Sequence, residues 1–202
     1  MREEEAIPRS ERFLVVGLGN PGRDYRDTRH NIGFMLLDRL AERWHIPLGR
    51  VQSRAVIGSG HRGAHAVLLA KPQTYMNLSG DAIGPLANFY RVPATHVIVG
   101  YDEIDLEFGT LRIRPQGGAG GHNGMKSLIN HLGRTFPRVR LGVGRPPGRM
   151  PASAYVLRRF RADELPVVDT MLDQAAAAIE TIIRDGLELA MNRYNGSVLQ
   201  DD

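Results

Sequence analysis

Arg12-Phe13-Leu14-Val15-Val16-Gly17-Leu18-Gly19-Asn20-Pro21-Gly22 is the stretch from which the fold can be read. An apolar run this short, closed by glycine and proline, is the pattern of a strand buried on both faces and ended by a turn. A helix is expected from about Thr28 or Asn31 to Trp44. Its positions Gly33, Leu36, Leu37, Leu40, Ala41 and Trp44 fall on one face at helical spacing. Working outward, Arg54 to Gly58 and His65 to Lys71 read as a strand pair around the turn Gly60-His61-Arg62-Gly63. A second helix follows, capped by Ser79, with Ile83, Leu86, Ala87 and Tyr90 facing inward and Pro85 inside it.

Thr95 to Gly100 is another buried strand, leading into Tyr101-Asp102-Glu103. Gly109 to Arg114 sets outward arginines against Leu111 and Ile113. A glycine-rich loop from Gly117 to Gly124 opens a third helix that ends near Gly133. Arg138 to Gly144 is read as the last strand, with Arg138 and Arg140 alternating against Val139, Leu141 and Val143. Long helices then run from about Glu164 to Arg193, broken near Gly186. Strands alternating with helices define an α/β protein, here a single-domain three-layer α/β/α sandwich with a mixed, mostly parallel twisted sheet. Residues 1–11 read as a polar tail, 12–196 as the domain and 197–202 as a C-terminal tail.

The 202 residues contain no cysteine, which excludes disulfides, zinc–thiolate sites and thiol nucleophiles. The first ten residues have no apolar core of a signal peptide and read as a polar tail, and no apolar run reaches membrane-spanning length. A cytoplasmic home is expected; the absence of cysteine fits it without requiring it. The net charge is +4, with Lys71 and Lys126 the only lysines among 26 basic residues. Arginine's planar fork suits phosphate, so the excess is compatible with a nucleic-acid partner. Charge alone does not separate that from simple solubility.

Gly17, Gly19 and Gly22 spell a dinucleotide fingerprint after a strand, but Pro21 and the polar residues 23–27 delay the helix. The acidic residue expected about 20 positions later is also missing. A turn that aims Asn20 is the better reading. Gly121-His122-Asn123-Gly124-Met125-Lys126-Ser127 lacks the glycine spacing of a phosphate loop. No serine is flanked by glycines as a nucleophile elbow requires. Hydrolysis by this chain would therefore use water.

His30, at a helix start beside a polar loop, is the strongest candidate base, although a cap or surface histidine looks the same in isolation. Asp102 ends a buried strand, where α/β sheets place functional groups; a turn cap is the plain alternative. Glu103, Asp105 and Glu107 read as solvated loop charges, and His122 stays ambiguous. The histidine spacing shows no metal cluster. Asn20, Asn77 and Asn123 each sit in a turn, where asparagine commonly serves only the backbone. Together they suggest a site needing neutral amides, which can both hold a peptide backbone and donate to an oxyanion.

These pieces resemble the bacterial-type peptidyl-tRNA hydrolase family. Val15 to Gly22 with Tyr25 and Thr28-Arg29-His30-Asn31-Ile32-Gly33 is similar to its N-terminal signature, and Lys71 to Gly80 to its second. Tyr101 to Leu106 and Gly117 to Gly124 resemble the third and fourth, while Arg140 to Pro146 and Asp185 to Asn192 extend the likeness. The resemblance implies hydrolysis of the ester between peptide and tRNA by a His30-activated water, without a covalent intermediate. Asp102 would orient His30, and Asn20 would contact the peptide. Tyr25, Tyr75, Asn77 and Asn123 would bind substrate. Arg112, Arg114, Lys126, Arg134, Arg140 and Arg145 would meet tRNA phosphates, and a lid would lie between Pro146 and Arg161. No cofactor, metal or membrane partner is implied, and a monomer is expected. Two rival readings are an RNA-binding protein without catalysis and a dinucleotide-dependent oxidoreductase.

Overall fold

A computed structural model of the chain describes residues 12–199; the expected tail at 1–11 and residues 200–202 lie outside them. The first strand, β1 (Arg12–Gly17), runs at the middle of an eight-stranded sheet. The remaining strands are β2 (Arg50–Gln52), β3 (Ala55–Arg62), β4 (His65–Pro72), β5 (Val97–Glu103), β6 (Thr110–Arg114), β7 (Arg138–Gly142) and β8 (Gly196–Ser197). Their order is β2-β3-β4-β1-β5-β7-β6-β8. The four central strands are parallel, and antiparallel pairing begins at β3 on one side and β6 on the other.

The strand period of two divides the core. Phe13 and Val15 of β1 pack on one face with α1 (Ile32–Trp44), α5 (Leu165–Asp185) and α6 (Leu187–Tyr194). Leu14 and Val16 pack on the other face with α2 (Ser79–Tyr90) and α3 (Asn123–Leu132). Two apolar layers on one sheet give the expected three-layer sandwich.

Three glycines set how close α1 comes to the sheet. A Cβ on Gly17 would stand 2.0 Å from the Gly33 carbonyl oxygen, and one on Gly33 would stand 2.5 Å from that of Gly100. Gly19 is packed too: a Cβ there would meet the Phe34 ring at 2.6 Å. Of the fingerprint glycines only Gly22 needs its freedom for a positive φ, 108°. The motif is thus helix packing plus a turn, which removes the basis for a dinucleotide cradle.

Local differences from the sequence reading have physical reasons. The β3–β4 strands extend past Gly60 and His61, so the turn is confined to Gly63 and Ala64. Ser79 does not cap α2; its hydroxyl donates to the Met76 carbonyl at 2.8 Å. Pro85 removes an N–H inside α2, and the Asp81 carbonyl four residues earlier accepts from Arg54 instead, at 3.1 Å. Arg138 is not on a wet face: it is 2% exposed and donates to the carbonyls of Gly118 and Arg134. Nor is β7 the last strand, because Gly196–Ser197 pairs with β6 and Val198 is buried in the core. The expected domain limit at 196 falls inside that strand.

Candidate active site

The parallel strands bring their carboxyl ends to one edge. After β1 the chain turns toward β4 on one side, while β5 lies on the other, so the crevice between β1 and β5 is the topological switch point where α/β sheets bind ligands. Asn20 follows β1, and Asp102 is the penultimate residue of β5. His30 sits in a 3-10 turn, Arg29–Asn31, that leads into α1.

His30 Nδ1 lies 2.9 Å from both carboxylate oxygens of Asp102, which is 2% exposed. The fold also brings up His122, whose Nε2 lies 2.9 Å from Asp102 Oδ1. His122 is the N-cap of α3, and its Nδ1 accepts the Met125 backbone N–H at 3.2 Å. That acceptor role assigns the proton of the neutral ring to Nε2, so His122 donates to Asp102. Asp102 therefore accepts from two imidazoles. With Nδ1–H of His30 committed to the carboxylate, Nε2 of His30 is the nitrogen left to accept a proton. Burial by itself raises the Asp102 carboxyl; the charges and hydrogen bonds of His122 and His30 more than offset it and hold the group well below the usual carboxylate range.

Sequence reasoning left His122 ambiguous and showed no metal cluster; in the fold His30, Asp102 and His122 offer donor atoms within 4.8 Å of one another. Their protonation argues for a hydrogen-bonded relay rather than a ligand set. To bind a cation through Nε2, neutral His122 would need its proton on Nδ1, where it would face the Met125 N–H.

Asn20 is oriented from behind. Its Oδ1 accepts the Met76 N–H at 2.8 Å, which fixes the amide so that Nδ2 is the free donor. Its backbone is held by Asn31, a buried residue that sequence reasoning passed over within the signature Thr28 to Gly33. The cleft of about 710 Å³ at this edge is lined by Asn20, His30, Tyr75, Asn77, Asp102, His122 and Asn123. Its opposite wall is apolar, from Ile104 and from Val156 and Leu157 at the end of α4 (Ala152–Val156). Tyr25 does not line this cleft; it is half-buried, and its carbonyl accepts from Thr28. A larger concavity of about 1120 Å³ shares Asn20 but contains neither His30 nor Asp102, so the chemistry belongs to the smaller one.

Of the six arginine and lysine candidates, Arg112 and Arg140 are register partners across the β6–β7 pair. Arg114 and Arg140 line a second hollow of about 290 Å³ beside the Gly117–Gly120 loop, and Gly120 lines both this hollow and the cleft. Arg140 is also paired with Glu103 at 2.8 Å, which corrects the reading of Glu103 as a solvated charge: it is 5% exposed. Arg145 pairs with Asp105. Lys126 and Arg134 are exposed, Arg112 is half-buried, and none of the three lines the hollow.

A carboxylate-oriented imidazole among side-chain amides, at the switch point of an α/β sheet, is the arrangement of a general-base enzyme. The model of the family described as Peptidyl-tRNA hydrolase matches residues 14–202. A peptidyl-tRNA hydrolase from Chloroflexus aurantiacus is 51% identical over 185 residues, covering 91% of this chain and 98% of that protein. A crystal structure of peptidyl-tRNA hydrolase from Acinetobacter baumannii superposes with a TM-score of 0.89 at 34% identity, covering 94% of this chain and 98% of that one. A chloroplastic group IIB intron splicing facilitator from Arabidopsis thaliana is 45% identical, covering 91% of this chain and 77% of that protein. The chain belongs to the peptidyl-tRNA hydrolase family.

Proposed function

We propose that this protein hydrolyses the ester between a peptide and the terminal ribose of tRNA, releasing free tRNA and peptide for reuse in translation. The observation that carries this reading is the Asp102–His30 contact in the amide-lined cleft. His30 Nε2 takes a proton from water as the water oxygen attacks the ester carbonyl. Asp102 stabilises the imidazolium that forms. The carbonyl oxygen becomes an oxyanion, to which an amide N–H of Asn20, Asn77 or Asn123 donates. Collapse breaks the bond to the ribose oxygen, which receives the proton from His30. No covalent enzyme intermediate forms, and the chain's own residues supply each proton transfer.

Asn20, with its acceptor committed to Met76, offers a fixed donor to the peptide. Tyr75, at 62% exposure, presents an aromatic face at the cleft mouth for the acceptor end of tRNA. Phosphates of the same arm would be met at the hollow lined by Arg114 and Arg140. No helix among the described residues is long and apolar enough to cross a membrane. A monomer acting in the cytoplasm is part of this reading, and light scattering checks the oligomeric state.

The deciding experiment incubates the protein with N-acetyl-aminoacyl-tRNA and with free aminoacyl-tRNA. The blocked substrate is cleaved and the free one is spared; His30→Ala loses roughly 10²–10⁴-fold in rate. The second reading, RNA binding without turnover, is favoured by the likeness to the splicing facilitator. It predicts tight tRNA binding with both substrates left intact.

A further inference from the structure

Arg29 directly precedes the proposed base and is 4% exposed. Its contacts lie in a segment about 130 residues away in sequence. Nη1 donates to the carbonyls of Arg158 at 3.3 Å and Arg159 at 2.6 Å. Nη2 donates to both oxygens of Glu164, at 2.8 and 2.7 Å. The guanidinium also stands over the rings of Tyr155 and Phe160, at 4.6 and 5.1 Å. The backbone adds a short antiparallel contact around the Thr28–Arg159 bridge: Arg29 N–H donates to Arg158, and Phe160 N–H to Asp27.

The clamped segment carries part of the cleft lining. Val156 and Leu157 line the cleft together with His30, and Tyr155 is pinned by its hydroxyl to the Val143 carbonyl at 2.8 Å. Residues 155–160 are therefore tied to the turn that bears His30.

We infer that Arg29 is a positioning residue that holds the Val156–Leu157 part of the cleft in place relative to His30. The inference rests on His30 being the base. Arginine is needed because a lysine ammonium cannot bridge two carbonyls and a bidentate carboxylate while stacking on two rings. A wall that shifts relative to the imidazole misplaces the ester carbonyl, and misplacement by about 1 Å costs up to about a hundred-fold in rate.

The test compares wild type, Arg29→Lys, Glu164→Gln and His30→Ala on N-acetyl-aminoacyl-tRNA. In Arg29→Lys, kcat falls about ten-fold or more while the Kd for deacylated tRNA is unchanged. Hydrogen exchange of amides 155–160 quickens along with that of the His30 turn. Glu164→Gln, which keeps an acceptor for Arg29, shows the same pattern more weakly and serves if Arg29→Lys does not fold. Should Arg29→Lys lower only the melting temperature, with kcat within about two-fold of wild type, Arg29 is structural and the inference fails. Full activity in His30→Ala would instead overturn the assignment of the base.

Discussion

Asn31 and Asn20 hold each other through a reciprocal pair of hydrogen bonds. The Asn20 N–H donates to Asn31 Oδ1, and Asn31 Nδ2 donates to the Asn20 carbonyl, both at 2.9 Å. The pair joins the loop after β1 to the turn that carries His30, so two elements of the cleft are set by one buried amide. Asn31→Ala leaves both backbone groups of Asn20 without partners, at a cost of about 1–3 kcal/mol for each buried group. Activity should fall toward that of Asn20→Ala, and the double variant should be little worse than either single. Strict additivity of the two losses, measured in kcat/KM, would show that Asn31 does not act through Asn20.

Acid should remove a stabilisation that Asp102 supplies. Burial raises this carboxyl and its two imidazole partners lower it further, leaving the folded-state pKa depressed. A depressed carboxyl stabilises the fold at pH values above its unfolded pKa, about 3.9, and that contribution is lost as pH falls through the lower, folded value. Urea midpoints of wild type and Asp102→Asn should thus converge as pH drops below about 4. A difference that stays constant from neutrality into acid would contradict the assignment.

His122 has two tasks, and substitutions can separate them. His122→Ala deprives α3 of its cap, costing about 1 kcal/mol, and leaves Asp102 with one donor. With one stabilising partner gone, the Asp102 carboxyl moves up toward its ordinary range, so less of the stability it supplies above that range remains to be lost in acid. His122→Asn restores a cap oxygen for Met125 without reaching Asp102. It should recover melting temperature at neutral pH and leave the acid dependence of the urea midpoint as weak as in His122→Ala. Recovery of both together would mean that the two tasks are one.

Arg114 and Arg138 should behave oppositely although both flank the same hollow. Arg114 is exposed and makes no ion pair among the described residues, so Arg114→Gln should reduce the log–log salt slope of tRNA affinity by about 1 while leaving stability within about 0.5 kcal/mol. Arg138 is buried against Phe136 and ties down the Gly117–Gly120 loop. Arg138→Met should lower the melting temperature and leave the salt slope alone. Equal slopes for Arg114→Gln and wild type, from binding titrations at several salt concentrations, would remove Arg114 from the interface.

What the sequence made legible follows from how local each signal is. The helix from Ile32 to Trp44 and the central strands are written in periodicity, which needs no distant partner. His30 and Asp102 could be nominated because each sits at an element's end, and the family likeness joined them. The third member, His122, was invisible because its identity as a donor depends on Met125 N–H and on a carboxylate 20 residues away. Its place before Asn123 at a helix start was the available signal. Glu103 was misread for the same reason: a charged residue beyond an apolar run looks solvated until its partner Arg140 arrives through tertiary contact. The two-residue strand at Gly196–Ser197 is too short for any pattern to show.

The missing methyl groups of Gly17, Gly33 and Gly100 carry a last consequence, for anyone who would make this protein hardier. Replacing glycine with alanine is a common route to thermostability, since it restricts the denatured chain. At these three sites the added carbon would lever α1 away from the sheet and carry the imidazole at its leading end outward. Heat tolerance should therefore be sought in the outer loops, because here the enzyme's reach is set by what its backbone lacks.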